Sequence, residues 1–262
     1  MDWGLSNRLQ RILKPPHGRT VMLAVDHGYF LGPTSGLEKP GTTIAPLLPY
    51  ADSLMLTRGV LRASVPQDAA VPIVLRVSGG TSILRELSHE GLTVAVEDAI
   101  RLNASAMTLS IFVGAEGERE SLLNLAKLVD AGEKYGIPVL AVTAVGKDMV
   151  RDARYIGLCC RIAAEIGAHF VKTYYCDGFE EVVGSTPVPL IIAGGKKIGE
   201  RDAVQLAWNA MKAGAKGVDM GRNIFQSDAP VGMIRAVRAV VHDGASVQDA
   251  YAIYERDKQG KR

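Results

Sequence analysis

The chain has 262 residues, of which 47% are hydrophobic and 22% are charged, and its net charge is +2. This composition is typical of a globular protein, and it includes neither a basic surface for nucleic acid nor an apolar run of membrane-spanning length. Three cysteines cannot form a disulfide framework, and the first residues lack a signal-peptide pattern. We therefore expect a cytoplasmic protein without nucleic-acid or membrane partners.

Short apolar runs recur along the chain at fairly regular spacing. Most of them lack the polar alternation of a half-exposed strand, which is typical of parallel strands covered on both faces. The eight predicted strands are Thr20–His27, Ser53–Thr57, Pro72–Val77, Ala104–Phe112, Pro138–Thr143, His169–Tyr175, Pro189–Ala193 and Gly217–Met220.

Amphipathic stretches that indicate helices lie between most of these strands, and several end at a glycine that can cap the helix. The predicted helices are Val94–Asn103, Ser121–Tyr135, Tyr155–Ile166, Arg201–Ala213 and Val231–Val241. The alternation predicts an α/β fold, a (β/α)₈ TIM barrel in which residues 1–262 form a single domain. The rival is a doubly wound open sheet, which usually carries G-x-G-x-x-G after its first strand, and that motif is absent here.

Three segments fall outside this alternation. A short N-terminal segment precedes the first strand, and Gly28–Pro49 is predicted as a long loop over the active face. Ser246–Arg256 is predicted as an extra C-terminal helix, docked either on the barrel or on a neighbouring subunit.

Lys172 lies inside a β-branched and aromatic run that indicates a buried strand. Strand alternation places Phe170, Lys172 and Tyr174 on one side, and we expect that side to face the barrel lumen. Burial disfavours the charged form of an amine, so Lys172 is predicted to act as a nucleophile. The alternative is a lysine at a strand end whose stem packs while its amine reaches water.

Asp26 and His27 end the first predicted strand, where catalytic groups of a barrel lie. Asp26 is predicted to act as the acid–base partner of the amine or to hold it by charge. The alternative for Asp26 is a cap on the following turn. For His27, a catalytic role and a structural hydrogen bond are equally compatible with the sequence.

Glycines follow the last two strands, as the pair Gly194-Gly195 and as Gly221 with Arg222 beside it. Backbone N–H groups of such turns bind phosphate, and a guanidinium can clamp it with two hydrogen bonds. We therefore predict a phosphorylated small-molecule substrate.

Several other charged residues are less informative. Arg58 and Arg76 end strands 2 and 3, and they are expected to pair with carboxylates such as Glu86 and Glu90 rather than to bind a second anion. Asp219 lies on the last strand, either balancing a lysine inside the barrel or contacting an outer helix.

The remaining candidate site residues are cations that could reach the mouth of the barrel and histidines that could bind a metal. Lys147 and Asp148 after strand 5 could reach the mouth, as could Lys196. The five histidines show no ligand spacing, so no metal site is predicted.

Four motifs resemble the class I aldolases of the archaeal fructose-bisphosphate aldolase type. They are Asp26-His-Gly, Val-Lys172-Thr, Ala-Gly-Gly-Lys196 and Met-Gly-Arg-Asn223. The runs Val21–Phe30, Gly146–Asp152 and Asp219–Asp228 are similar to a coenzyme A-dependent branch of that family. The resemblance covers essentially the whole chain.

The resemblance implies a homo-oligomeric barrel, in this family commonly a decamer of two stacked five-membered rings. It implies transfer of an acetyl group from a phosphorylated dione to coenzyme A, with release of dihydroxyacetone phosphate, in the breakdown of the signal autoinducer-2. Coenzyme A is then a co-substrate, and no bound cofactor is expected. Lys172 falls at the Schiff-base lysine, Asp26 at the strand 1 aspartate, and Gly194, Gly195, Gly221 and Arg222 on the phosphate loops.

One position departs from the family pattern. The family's aldolases carry a tyrosine near the end of strand 5, where this chain has Thr143, which cannot supply a phenol. Tyr174 is a candidate replacement. A Schiff-base aldolase acting on fructose 1,6-bisphosphate or a related keto-sugar phosphate is the second hypothesis, and a non-catalytic phosphate-ligand binder is the third.

Overall fold

The computed structural model describes residues 2–144 and 150–260, and within them eight parallel strands close into one barrel. The strands are β1 (Thr20–Ala24), β2 (Ser53–Thr57), β3 (Ile73–Arg76), β4 (Ala106–Ile111), β5 (Val139–Thr143), β6 (Phe170–Thr173), β7 (Leu190–Ala193) and β8 (Gly217–Met220). Each strand pairs with its neighbours in chain order, and β1 pairs with β8 to close the wall. The predicted (β/α)₈ fold is confirmed.

Helices surround the strands on the outside. They are α1 (Trp3–Ile12), α2 (Gly28–Leu31), α3 (Pro40–Ile44), α4 (Arg58–Ser64), α5 (Val96–Arg101), α6 (Glu118–Tyr135), α7 (Ala153–Glu165), α8 (Phe179–Ser185), α9 (Glu200–Lys212), α10 (Arg222–Phe225), α11 (Pro230–Arg238) and α12 (Val247–Lys258). In the described residues no helix is long and apolar enough to cross a bilayer.

All five predicted helices are present, with ends that shift by a few residues. The prediction of an open loop over Gly28–Pro49 is wrong in part, because this segment contains α2 and α3. Pro40 starts α3, as proline fits the first turn of a helix. Both helices are too short to show a helical period in the sequence, which is why periodicity missed them.

The barrel wall has two apolar faces. Outward residues such as Leu23, Leu54 and Leu109 pack against the helices in the larger core. The other set fills the lumen, and it contains Met22, Met55, Val74, Ala106, Leu140, Phe170 and Ile191. Because both faces of each strand are buried in apolar contacts, the strands read as continuous apolar runs.

Helix α1 closes the N-terminal end of the barrel. Asp2 caps this helix by accepting a 2.7 Å hydrogen bond from the N–H of Leu5. At its other end, Ile12 and Leu13 are buried against the lumen residues. The lumen is thus packed at this end, which leaves the C-terminal end of the strands for polar groups.

The predicted C-terminal helix is present as α12, and it packs on α9 and α11 of the same chain. Gly232 of α11 permits this contact, since a Cβ there would lie 2.8 Å from Cβ of Asp257. Arg235 and Asp257 form an ion pair across the two helices.

An ion cluster at the N-terminal end ties the last part of the chain to the wall. Asp52, just before β2, accepts hydrogen bonds from the N–H of Val21 at 2.7 Å and from Arg238 at 2.8 Å, and its Oδ2 lies 2.6 Å from His242 Nε2. Burial raises the pKa of Asp52, but the hydrogen bonds from His242, Arg238 and Val21 outweigh burial and hold the pKa below its usual value.

We predict that Asp52→Asn lowers the free energy of unfolding by about 2 kcal/mol at pH 7, because charged hydrogen bonds are lost while the shape is kept. A depressed carboxyl pKa stabilises the fold above the unfolded value near 3.9. The difference in the free energy of unfolding between wild type and variant should therefore have its full value at pH 6 and decrease as the pH falls below about 4. Urea unfolding at several pH values measures it, with the exposed Asp243→Asn as control. An equal loss in both variants would contradict the prediction.

Candidate active site

The seven residues predicted for the site lie around one cavity at the C-terminal end of the strands. This cavity has a volume of about 640 Å³. Its lining includes Asp26, His27, Lys172, Gly194, Gly195, Gly221 and Arg222. The structure thus brings together residues from β1, β6 and the loops after β7 and β8. Its position agrees with the end of a TIM barrel at which active sites lie.

Lys172 faces the lumen from β6, as strand alternation predicts. Its side chain is 11% exposed, and its Nζ lies 2.8 Å from Oδ2 of Asp219, whose side chain is 0% exposed. The side chain does not extend to the protein surface, which excludes the alternative of a solvated strand-end lysine. The partner of Asp219, which the sequence left open, is therefore the lumen lysine and not an outer helix.

Asp219 is a buried carboxylate whose oxygens accept no aligned hydrogen bond from the described residues, despite the close approach of Lys172. Burial raises the pKa of Asp219 to about 6, and attraction to Lys172 offsets only part of this effect. A carboxyl group that titrates near pH 6 beside an amine is suited to hold and release a proton.

Asp26 differs from Asp219 in its partner. Its Oδ2 accepts a 3.0 Å hydrogen bond from Nε of Arg76, and both side chains are buried. Burial raises the pKa of Asp26, but the positive charges of Arg76 and Lys172 outweigh burial and hold the pKa below its usual value. Asp26 is therefore ionised at neutral pH, and its geometry fits holding charge better than exchanging protons.

His27 begins the turn into α2 and packs edge-to-face on Phe225, with ring centroids 5.7 Å apart. Burial lowers the pKa of His27 to about 4, although Asp26 opposes this effect. The imidazole is therefore neutral at neutral pH. In the described residues its Nδ1 has no hydrogen-bond partner.

The two glycine loops leave room for a ligand because side chains cannot occupy them. A Cβ on Gly221 would lie 2.3 Å from the carbonyl oxygen of Ala24 and 2.5 Å from Cε1 of His27. Gly195 has a positive φ of 70°, which favours glycine. Within the described part of the chain the Nε of Arg222 has no acceptor. The glycine backbone and the guanidinium of Arg222 thus line the same cavity, and together they are suited to bind a phosphate.

Asn223 ties these two loops together, a role that the sequence alone did not reveal. Its Nδ2 donates to the carbonyl of Gly194 at 2.6 Å, and its Oδ1 accepts from the N–H of Ile198 at 2.9 Å. The side chain is fully buried. A polar residue directly after the Gly-Arg pair was the available signal, although only the fold shows which loop it holds.

Arg76 lines the cavity, although the sequence analysis assigned it only a structural ion pair. Besides Asp26, its guanidinium donates to Ser110 at 2.9 Å. Beyond it, Ser78 donates to Glu90 at 2.6 Å, and Glu90 also accepts from Tyr29 at 2.6 Å. Arg76 therefore pairs with a carboxylate, as expected, and this carboxylate is Asp26. Arg58, by contrast, pairs with Asp98 on α5 and does not line this cavity.

The strand 5 position also lines the cavity. The hydroxyl of Thr143 donates to Thr173 at 2.8 Å. Tyr174 lines the cavity beneath the guanidinium of Arg151, whose carbon lies 3.9 Å from the ring centroid.

Lys196 also lines the cavity mouth. The predicted contributions of Lys147 and Asp148 lie outside the described residues. In the parts of the chain that the structure describes, no three His, Cys, Asp or Glu side chains group as metal ligands.

Comparison with known proteins places this geometry in a family. A family model described as DeoC/LacD family aldolase matches residues 20–227. A 3-hydroxy-5-phosphonooxypentane-2,4-dione thiolase from Klebsiella pneumoniae is 56% identical over 262 residues, covering 100% of this chain and 89% of that protein. A thiolase of the same name from Escherichia coli K12 is 55% identical over 260 residues, covering 99% and 89%.

Solved structures give a consistent result. An archaeal fructose-1,6-bisphosphate aldolase, with its catalytic lysine bound to the carbinolamine intermediate of its substrate, has a TM-score of 0.82 at 25% identity, covering 90% of this chain and 99% of that one. A fructose-bisphosphate aldolase from Slackia heliotrinireducens has a TM-score of 0.85 at 16% identity, covering 97% and 90%, which shows the fold alone. This protein therefore belongs to the DeoC/LacD family of aldolases and is an enzyme of the class I aldolase type.

Proposed function

We propose that this enzyme transfers an acetyl group from 3-hydroxy-5-phosphonooxypentane-2,4-dione to coenzyme A and releases dihydroxyacetone phosphate. The observation that carries the proposal is the position of Lys172, a buried amine in one cavity with a phosphate cradle, in a chain that matches thiolases of this name over its full length. The same reaction would contribute to the breakdown of autoinducer-2.

The phosphate end of the substrate binds at the loops after β7 and β8. Gly194, Gly195, Gly221 and Arg222 line the cavity there. The N–H of Gly194 bonds to the carbonyl of Asp219, so the other backbone N–H groups of these loops and the guanidinium of Arg222 are the donors to the phosphate. With the phosphate fixed, the neighbouring C4 carbonyl of the dione reaches Lys172 on β6. Holding both ends of the reacting unit reduces the entropy lost in the chemical step.

Lys172 has two roles that fit this geometry. As a Schiff base, its iminium would accept the electron pair that is released when the C2–C3 bond breaks. As an ammonium, it would stabilise the enolate oxygen by a charged hydrogen bond. Asp219 takes the proton from Lys172 in the first role and supports the ammonium charge in the second. Arg76 keeps Asp26 ionised, and this carboxylate stabilises positive charge at the same end of the barrel.

Acetyl transfer would go directly to coenzyme A. The three cysteines are free and buried, and burial raises the pKa of Cys159 to about 11 and that of Cys160 to about 12. Burial also raises the pKa of Cys176. Thiols of this kind are poor nucleophiles, so they do not support an acetyl-cysteine intermediate.

Thr143 favours this reaction over the second hypothesis, aldol cleavage of a sugar bisphosphate. Aldol cleavage needs an acid–base group at the departing aldehyde, and the hydroxyl of Thr143 donates to Thr173 instead. Thiol attack on C2 needs no phenol at this position.

We further propose a cytoplasmic homo-oligomer that assembles as a decamer. The free cysteines suit a reducing compartment. Exposed apolar side chains such as Trp3, at 78%, and Leu158, at 51%, offer surfaces for subunit contacts.

Acetyl-CoA and dihydroxyacetone phosphate should form together from the phosphorylated dione, and only when coenzyme A is present. The assay is chromatography of both products, with fructose 1,6-bisphosphate as a parallel substrate. Cleavage of the bisphosphate without coenzyme A would instead support the aldolase.

Borohydride reduction in the presence of dihydroxyacetone phosphate should attach the ligand to Lys172 if the Schiff base forms, because reduction makes the imine bond permanent. Peptide mass spectrometry locates the adduct. Lys172→Met should abolish it, whereas Lys196→Met, which removes another lysine of the same cavity, should not. An unmodified Lys172 in the wild type would leave the hydrogen-bond role.

The rate should fall below about pH 6, by up to tenfold per pH unit, because Asp219 must be ionised to take the proton of Lys172 and its pKa is raised to about 6. Asp219→Asn should lower kcat by roughly 10²-fold or more and remove this acid limb. The measurement is kcat against pH for both proteins. His27, with a pKa of about 4, is already neutral throughout this range. An unchanged acid limb in the variant would contradict the assignment.

A further inference from the structure

The cavity contains a buried cation that neither the phosphate loops nor Lys172 require. Arg76 is 4% exposed at the end of β3, and it lines the cavity. Nε donates to Asp26 at 3.0 Å, and Nη1 donates to Ser110 at 2.9 Å and approaches Ser78 at 3.4 Å. These three hydrogen bonds use Nε and Nη1 of the guanidinium and do not involve its Nη2. These bonds fix the orientation of the guanidinium, and its Nη2 is the nitrogen that would donate to a ligand.

Ser110 adds a second donor beside this cation. It lies on β4 with its side chain toward the lumen, and it lines the cavity. Because its oxygen accepts from Arg76, its own proton is free to donate elsewhere. The hydrogen bond with Arg76 does not use that proton. A guanidinium N–H and a hydroxyl O–H thus stand side by side at one position in the cavity.

The position of this pair relative to the phosphate loops is set by the barrel. Strands β3 and β4 lie across the closed sheet from β7 and β8, and Lys172 on β6 lies between them. An extended dione with its phosphate at β7 and β8 and its C4 at Lys172 therefore directs its acetyl group toward β3 and β4. Apolar residues after β1 and β4 line the same cavity and suit the approach of a pantetheine arm: Phe30, Leu31, Phe112 and Ala115.

We propose that Arg76 and Ser110 form an acyl subsite that binds the acetyl carbonyl oxygen and stabilises the oxyanion formed when the thiol attacks. This inference rests on the proposed function. Two oriented donors in a water-poor site stabilise developing negative charge far better than water does.

The step balances within the two substrates. The sulfur of coenzyme A forms a bond to C2, and the carbonyl π electrons move onto the oxygen held by Arg76 and Ser110. When the carbonyl re-forms, the C2–C3 bond breaks and its electron pair passes toward C4, onto the iminium or carbonyl at Lys172. The thiol loses one proton and C3 gains one. In the Schiff-base form, imine formation at Lys172 releases one water, and hydrolysis of the imine takes up one water when the product leaves. The products are acetyl-CoA and dihydroxyacetone phosphate.

The test separates acetyl transfer from chemistry at Lys172. Ser110→Ala should lower kcat for acetyl-CoA formation by roughly 10²- to 10³-fold, as loss of one oxyanion donor does. The same variant should exchange the carbon-bound hydrogens of dihydroxyacetone phosphate with D₂O at the wild-type rate, because this exchange needs Lys172, Asp219 and the phosphate loops but not the acyl subsite. Arg76→Lys, which keeps the charge but loses the planar guanidinium, should also lower acetyl-CoA formation.

Thr108→Val is the matched control. Thr108 lies on β4 two residues before Ser110, is fully buried and does not line the cavity. It should retain both activities. Wild-type acetyl transfer in Ser110→Ala would overturn the acyl subsite, as would a parallel loss of hydrogen exchange in that variant or an equal loss in Thr108→Val. Hydrogen exchange without acetyl-CoA formation in the wild type would instead overturn the proposed function, and the acyl subsite with it.

Discussion

The structure depends on one constraint, the burial of a lysine and an aspartate as neighbours inside a closed barrel. Lys172 and Asp219 approach to 2.8 Å where water is largely excluded. Each charge alone would cost several kcal/mol to bury, so each makes the other tolerable. The lumen below them is filled by apolar side chains and closed by α1. Polar groups are thereby confined to one layer at the C-terminal end, and this layer is the site.

Within that layer the charges are arranged in two pairs with different properties. Arg76 holds Asp26 ionised, whereas the Lys172 contact leaves the pKa of Asp219 near 6. One carboxylate is therefore a fixed charge and the other a proton carrier. Environment alone separates them, since both are aspartates at the ends of neighbouring strands. A reaction that cleaves a carbon–carbon bond and moves one proton needs both kinds of group.

Stability and chemistry occupy opposite ends of the same barrel. At the N-terminal end, Asp52 is satisfied by Arg238, His242 and the backbone of Val21. At the other end, Nδ1 of His27, Nε of Arg222 and the oxygens of Asp219 lack aligned partners within the described residues. Unsatisfied groups destabilise a fold unless a ligand completes them. Buried hydroxyls such as those of Thr20 and Ser53 lack partners elsewhere, but these charged and imidazole groups all line the cavity. Their position is consistent with a site that a polar, phosphorylated ligand completes.

The sequence by itself determined the elements: eight apolar runs predicted the strands, a lysine within one predicted a buried amine, and glycines predicted the phosphate loops. Such features depend on neighbours within a few residues, so a linear pattern carries them. The tertiary structure alone decided the pairings, among them Lys172 with Asp219, Arg76 with Asp26 and Ser110, and Asn223 with Gly194. Each joins different strands or loops, and only closure of the barrel brings residues so distant in the chain within hydrogen-bonding reach.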